Sequence, residues 1–97
     1  MEDVWRMKMH YRLQAMADIE RIRGYIENDN PHVATDVVVR IHQTARFLTL
    51  FPRIGRRGTI PNTYELLVRG LPYMIVYEMD HRDKVTILAI FHCARER

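Results

Sequence analysis

The sequence predicts an α+β fold of element order β-α-α-β-β-β, an antiparallel sheet with a helical hairpin packed on one face. Three observations predict it. The apolar period is two near the start, then lengthens to between three and four. Asn30-Pro31 and Pro52 punctuate that helical stretch. After it, three short apolar runs separated by turn-length gaps read as a meander.

Met7, Met9, Tyr11 and Leu13 alternate with Lys8, His10 and Arg12, the pattern of a half-buried strand. Residues 1–6, with Trp5, read as a tail to a domain expected to span 1–97. From Ala15 the apolar positions become Ala15, Ile19, Ile22 and Ile26, while Asp18, Glu20, Arg21, Arg23 and Glu27 fall elsewhere, so an amphipathic helix should end near Asn28. Gly24 inside it costs about 1 kcal/mol relative to Ala, which suggests a neighbouring backbone in close approach. Asn30 is placed to cap a second helix whose first turn takes Pro31. Ala34, Val37, Val38, Ile41, Ala45 and Leu48 form its stripe. The β-branched run Val37 to Val39 needs packing to stay helical. Pro52 ends it, and the short link forces the two helices into a hairpin.

Strands follow at Thr63–Arg69, Pro72–Met79 and Lys84–His92. Both alternating sets of the last two are apolar, as in strands covered on both faces. A hairpin covers one face, so the other should curl on itself or meet a partner chain.

With 97 residues, 47% hydrophobic and 28% charged, the chain has ordinary globular composition, which argues against disorder. No apolar run approaches the ~18 residues of a membrane span and the start lacks the pattern of a secretory leader, so no membrane association and a cytoplasmic location are expected. Cys93 is the one cysteine, which removes intrachain disulfides and cysteine metal sites. His10, His32, His42 and His81 lie on different elements without ligand spacing, and no phosphate-binding loop, dinucleotide fingerprint or catalytic serine motif occurs. No metal or other cofactor is implied.

The net charge is +3, and of the 15 cations all but Lys8 and Lys84 are arginine. Arginine grips phosphate or carboxylate with a planar fork, so phosphate or an acidic protein would suit this surface. Arg53, Arg56 and Arg57 crowd one loop with Gly55 and Gly58, which would let the backbone present Arg56 tightly. The cluster fits a phosphate contact, a protein contact or a solvated loop. His92 at the end of the last strand fits two roles, a general acid or base with its reference pKa of about 6.5, or a strand-end histidine bonded to backbone. If the chain cuts RNA without a metal, Arg95, Arg69 and Arg56 would supply charge to the phosphorane, with Glu65 or Tyr73 as a second proton-transfer group.

The chain resembles the RelE/ParE superfamily of toxins from bacterial toxin–antitoxin pairs. The resemblance rests on Ala15, Asp18, Ile19, Ile22, Tyr25 and Ile26 in an AxxDIxxIxxYI helix, and on the Asn30-Pro31 helix start. It continues through Phe51, Pro52, Gly55, Arg56 and Gly58 in FPxxGRxG, Thr63 to Tyr77 in TxELxVxGLPYxIVY, and Ile87 to Arg95 in ILxIxHxxR. The wording is closer to ParE. The resemblance implies a toxin that poisons DNA gyrase and is neutralised by a cognate antitoxin in a hetero-oligomer, with Arg53, Arg56, Arg57, Arg69 and Arg95 contacting target or antitoxin. The RelE-like alternative is a ribosome-dependent mRNA endonuclease. His92 and Arg95 resemble the C-terminal histidine and arginine of its nuclease members. Against it, the chain has no lysine between Lys8 and Lys84, and Tyr64 stands where nucleases commonly carry arginine. A non-catalytic nucleic-acid-binding module is the third reading, and fold alone does not choose among them.

Overall fold

The computed structural model describes residues 8–80 and 84–95. The N-terminal tail with Trp5, and His81, lie outside the described residues. The elements are β1 (Lys8–Tyr11), α1 (Leu13–Glu27), α2 (Pro31–Leu50), β2 (Arg56–Arg57), β3 (Tyr64–Leu67), β4 (Tyr73–Met79) and β5 (Lys84–His92). The α+β class and the element order are those expected, with one addition: the arginine loop contributes the two-residue strand β2, paired to Tyr64 and Glu65.

The sheet order is β1-β5-β4-β3-β2. Steps between β2, β3, β4 and β5 are antiparallel, but β1 lies parallel to β5, so the sheet is mixed. The chain leaves β1 through both helices and re-enters at the far edge, and successive reversals bring β5 back beside β1 in the same direction.

Asn30 caps α2 as its chemistry requires: its side-chain oxygen accepts the amides of His32 and Val33, each at 3.1 Å, ahead of Pro31. Of the three valines only Val37 is buried, while Val39 is exposed, so packing through Val37, Ile41, Ala45 and Leu48 holds this stretch helical. The core joins these to Ala15, Ile19 and Ile22 of α1 and to Ile75, Tyr77, Val85, Ile87 and Ile90 of the sheet. Truncating fully buried Ile41 or Leu48 to alanine would cost about 2–5 kcal/mol.

Gly24 overturns the expectation of a close backbone. It is exposed, and a Cβ built there meets nothing within 4 Å. Asp18 overturns the helical stripe, because it is 5% exposed rather than solvated. The second sheet face is not bare either. Cross-strand partners share a face, so Tyr73, Ile75 and Tyr77, opposite His92, Ile90 and Ile87, look toward the helices. Met74 and Val76, opposite Phe91 and Ala89, look away. On that second face Met74 and Glu65 are buried, Val76, Ala89 and Phe91 are half-buried, and Leu67 is exposed.

The doubled apolar alternation of β5 has a physical cause. Val76 pairs with Ala89 and Tyr77 with Ile87, which leaves Leu88 as a β-bulge. One extra residue shifts the phase, so Val85, Ile87 and Ile90 all reach the same core although their spacing is not uniformly two.

Candidate functional site

Where α1 passes the end of β5, Arg21, Ile22, Tyr25, Tyr73, His92 and Arg95 line an open cleft of about 410 Å³. Each side chain is fixed by a separate local cause. Tyr73 and His92 are directly opposed across β4 and β5, and their rings meet edge to face at 5.3 Å and 89°. The Ala94 amide donates to His92 Nδ1 at 3.1 Å, and the Cys93 amide donates to the Pro72 carbonyl at 2.8 Å, so the chain turns sharply after β5. That turn lays the Arg95 guanidinium over the Tyr25 ring, 4.3 Å from its centroid.

Asp18 organises the helix side of this cleft. β1 ends at Tyr11, and the next outward amide of β5 beyond the bulge, that of Ile90, has no strand beside it. Asp18 Oδ2 accepts that amide at 2.9 Å, while Oδ1 accepts from Gln14 at 2.8 Å and from Arg21 at 3.2 Å. One buried carboxylate therefore replaces a missing strand contact and steers Arg21 toward the cleft.

The remaining candidates do not gather here. Arg56 and Arg57 are adjacent in a strand and so point to opposite faces. Arg56 sits opposite Glu65 on the face away from the helices, where the two form a 3.5 Å ion pair with the Arg56 side chain 66% exposed. Solvent screens such a pair, so it adds little stability. Ile54, Arg56, Glu65, Leu67, Met74 and Cys93 border a shallow depression there of about 550 Å³. Arg57 is opposite Tyr64 on the helix side, and Arg53 is exposed in the preceding turn. Arg69 lines a third groove beside α2 with Phe47, Ile54 and Leu67, and its carbonyl accepts the Arg40 guanidinium at 2.9 Å.

The arginine segment is nonetheless held rigidly. Tyr77, fully buried, donates its hydroxyl to the Pro52 carbonyl at 2.7 Å and accepts the Gly55 amide at 3.0 Å. Burial pushes its phenol pKa up, the Gly55 amide opposes that, and neighbouring Tyr64 adds to it. A Cβ on Gly55 would stand 2.5 Å from the Tyr77 hydroxyl and 2.8 Å from the Glu65 carbonyl, and one on Gly58 would collide with the Thr63 hydroxyl. These glycines serve close packing of the loop against the sheet.

Sequence reasoning had placed His92, Arg95 and Tyr73 among the candidates, and the fold brings them together. It had set Glu65, Arg56 and Arg69 beside them, and the fold sends these elsewhere. It missed Asp18, Arg21 and Tyr25 as site residues. Asp18 and Tyr25 both belong to the AxxDIxxIxxYI motif, where an acidic residue at a fixed place in an apolar stripe was the available signal. Among the described residues no three His, Cys, Asp or Glu side chains converge on a point that could hold a metal ion, and no helix is long and apolar enough to cross a membrane.

Comparison with known proteins agrees with this architecture. A protein of Sinorhizobium fredii (strain NBRC 101917 / NGR234), Y4kP, whose name assigns it provisionally to the toxins, is 36% identical over 91 residues, which is 94% of this chain and 93% of that protein. The structure of the chromosomal ParDE toxin–antitoxin system from P. aeruginosa superposes with a TM-score of 0.81 at 20% identity, covering 89% of this chain and 95% of that one. The intact E. coli RelBE toxin–antitoxin complex gives a TM-score of 0.69 at 15% identity, covering 92% and 99%. At such identities these superpositions speak for the fold. Residues 9–97 match the family described as the ParE toxin of the type II toxin–antitoxin system parDE. The chain belongs to that family, within the RelE/ParE superfamily and on its ParE side.

Proposed function

We propose that this toxin arrests growth by engaging DNA gyrase, and that a cognate antitoxin neutralises it in a hetero-oligomeric complex. The observation that carries the gyrase reading is the match of residues 9–97 to the ParE toxin family, supported by the separation of two nuclease candidates, Glu65 and Arg56, from the others. Proton transfer on a phosphodiester needs base, acid and cations around one scissile bond. Here His92 and Tyr73 lie on the helix side, whereas Glu65 and Arg56 lie on the other.

The antitoxin is proposed to order a segment along the face that carries Arg56, Leu67, Met74 and Phe91, where exposed Leu67 and half-buried Phe91 adjoin an exposed guanidinium. The gyrase reading is tested by plasmid supercoiling with purified gyrase. Inhibition or trapped cleavage products is the expected result, and full supercoiling at a large excess of toxin overturns it.

One observation favours the ribosome-dependent endonuclease as a second reading: His92, Tyr73 and Arg95 do share a cleft. Cleavage of ribosome-bound message that disappears in both His92→Ala and Arg95→Ala would establish it.

A further inference from the structure

We propose that the exposed end of α2 and the adjoining edge of β3 form the surface through which this toxin grips gyrase, and that gyrase meets it with an acidic segment anchored by apolar side chains. This inference rests on the gyrase reading and adds to it the place and the chemistry of contact. Among the described residues, most of the exposed large apolar side chains lie between Val39 and Leu67. Val39, Phe47 and Leu50 recur at helical spacing on one face of α2, with Gln43 and Arg46 between them. Phe51 continues that ridge, its ring centroid 4.9 Å from that of Phe47. Phe47 in turn shares a groove of about 400 Å³ with Ile54, Leu66, Leu67 and Arg69. A contiguous apolar surface with a polar rim is the mark of a protein contact.

Charge selects the partner. Between Asp36 and Glu78 the chain has a single carboxylate, Glu65, which is buried and paired with Arg56. The same span also holds Arg40, Arg46, Arg53, Arg57 and Arg69. Exposed Arg46 and Arg53 bracket Leu50 and Phe51, and Arg69 borders the groove. A second copy of this chain set here would bring guanidiniums against guanidiniums, and like charges across an interface are costly. Bare phosphates would satisfy the arginines but leave Leu50, Ile54 and Leu67 in water. A protein segment with carboxylates and apolar side chains answers both halves of the surface. The backbone adds a point of register. The Val68 amide donates to the Tyr73 carbonyl at 2.9 Å, so the amide and carbonyl of Leu67 point away from β4. Continuing the β2 ladder would set Ile54 opposite Leu67, yet the Ile54 amide turns back to the Phe51 carbonyl at 3.2 Å. Leu67 is thus left with no strand beside it, and one residue of an extended partner can pair there.

The test compares variants in plasmid supercoiling with purified gyrase, and in binding of the labelled chain to gyrase without DNA. Phe51→Ser, Ile54→Ser and Arg53→Glu should each raise the half-inhibitory concentration and weaken binding about tenfold. Lys84→Glu, an equal charge reversal at the start of β5, should change neither. All four side chains are exposed, so the variants should keep the wild-type circular dichroism. Inhibition at wild-type strength in both serine variants, or in Arg53→Glu, overturns this surface and leaves the gyrase reading standing. Gyrase untouched by the wild-type chain overturns both. Two further results overturn the inference by naming another occupant. Self-association in sedimentation that Phe51→Ser abolishes assigns the ridge to a second copy. Salt-dependent binding to a DNA duplex alone, lost in Arg53→Glu but kept in Ile54→Ser, assigns it to nucleic acid.

Discussion

Replacing Asp18 isolates the cost of the missing strand contact. In Asp18→Ala the Ile90 amide, which donates to Asp18 at 2.9 Å, loses its acceptor in a site closed to water. A hydrogen bond to a charged group contributes about 1.5–3 kcal/mol, and a buried donor left unpaired adds its desolvation. The Arg21 contact, at 3.2 Å with the arginine side chain 51% exposed, contributes little because water replaces it. The sum is about 3 kcal/mol, or roughly 15 °C in Tm for a domain of this size. Asp18→Asn keeps an oxygen for the Ile90 amide and should cost only about 1 kcal/mol. Urea denaturation at constant slope measures both, and amide exchange at Ile90 should speed up in the alanine variant alone. If Asp18→Ala lies within about 0.5 kcal/mol of wild type, or if the asparagine costs as much as the alanine, the carboxylate is not serving as the strand's surrogate partner.

Tyr77→Phe removes the hydroxyl that bridges Pro52 and Gly55, and should lower stability by about 1–2 kcal/mol while the Gly55 amide loses exchange protection. Gly24→Ala should raise stability by about 0.5–1 kcal/mol, read as a higher denaturation midpoint, since the added methyl meets no neighbour and the helix gains propensity. Burial pushes the Tyr11 phenol up from 10.0 to about 12. Its neutral form is favoured in the fold, so the stability it contributes is complete below pH 10 and is lost as pH climbs toward 12. Tyr11→Phe should flatten that alkaline decline in a pH series of thermal melts.

The elements were readable where a single local rule decided them. Asn30-Pro31 specifies a helix start whatever packs on it, and the stripe Val37, Ile41, Ala45 and Leu48 follows one period throughout. The errors fall where a tertiary contact overrode the local rule. Asp18 looks like a solvent position until β1 ends at Tyr11, opposite Ile87, and leaves the Ile90 amide to its carboxylate. Gly24 invited a packing explanation because glycine is costly in a helix, yet nothing in the fold uses its missing side chain. The bulge at Leu88 was hidden because an apolar run has no phase to read. For the site, proximity in sequence misled as often as it helped. Arg95 and Tyr25 are far apart in the chain and stacked in space, whereas Arg56 and Arg57 are neighbours that face opposite ways.

That last contrast bears on how so small a toxin can serve an antitoxin and a target. Tyr77 anchors the arginine segment through Pro52 and Gly55, and the tight seat of Gly58 against Thr63 fixes the other end. With both ends pinned, strand alternation assigns Arg56 to the open face and Arg57 to the helix side. The phase of a two-residue strand thus decides which guanidinium a molecule on either face meets. A ligand lying along the Met74 and Leu67 face reaches Arg56 but has no route to Arg57 or to the Tyr25–Arg95 cleft except around a sheet edge. Occupancy of one face therefore leaves the chemistry of the other in place, and an antitoxin that must silence both has to wrap the sheet rather than plug a single pocket.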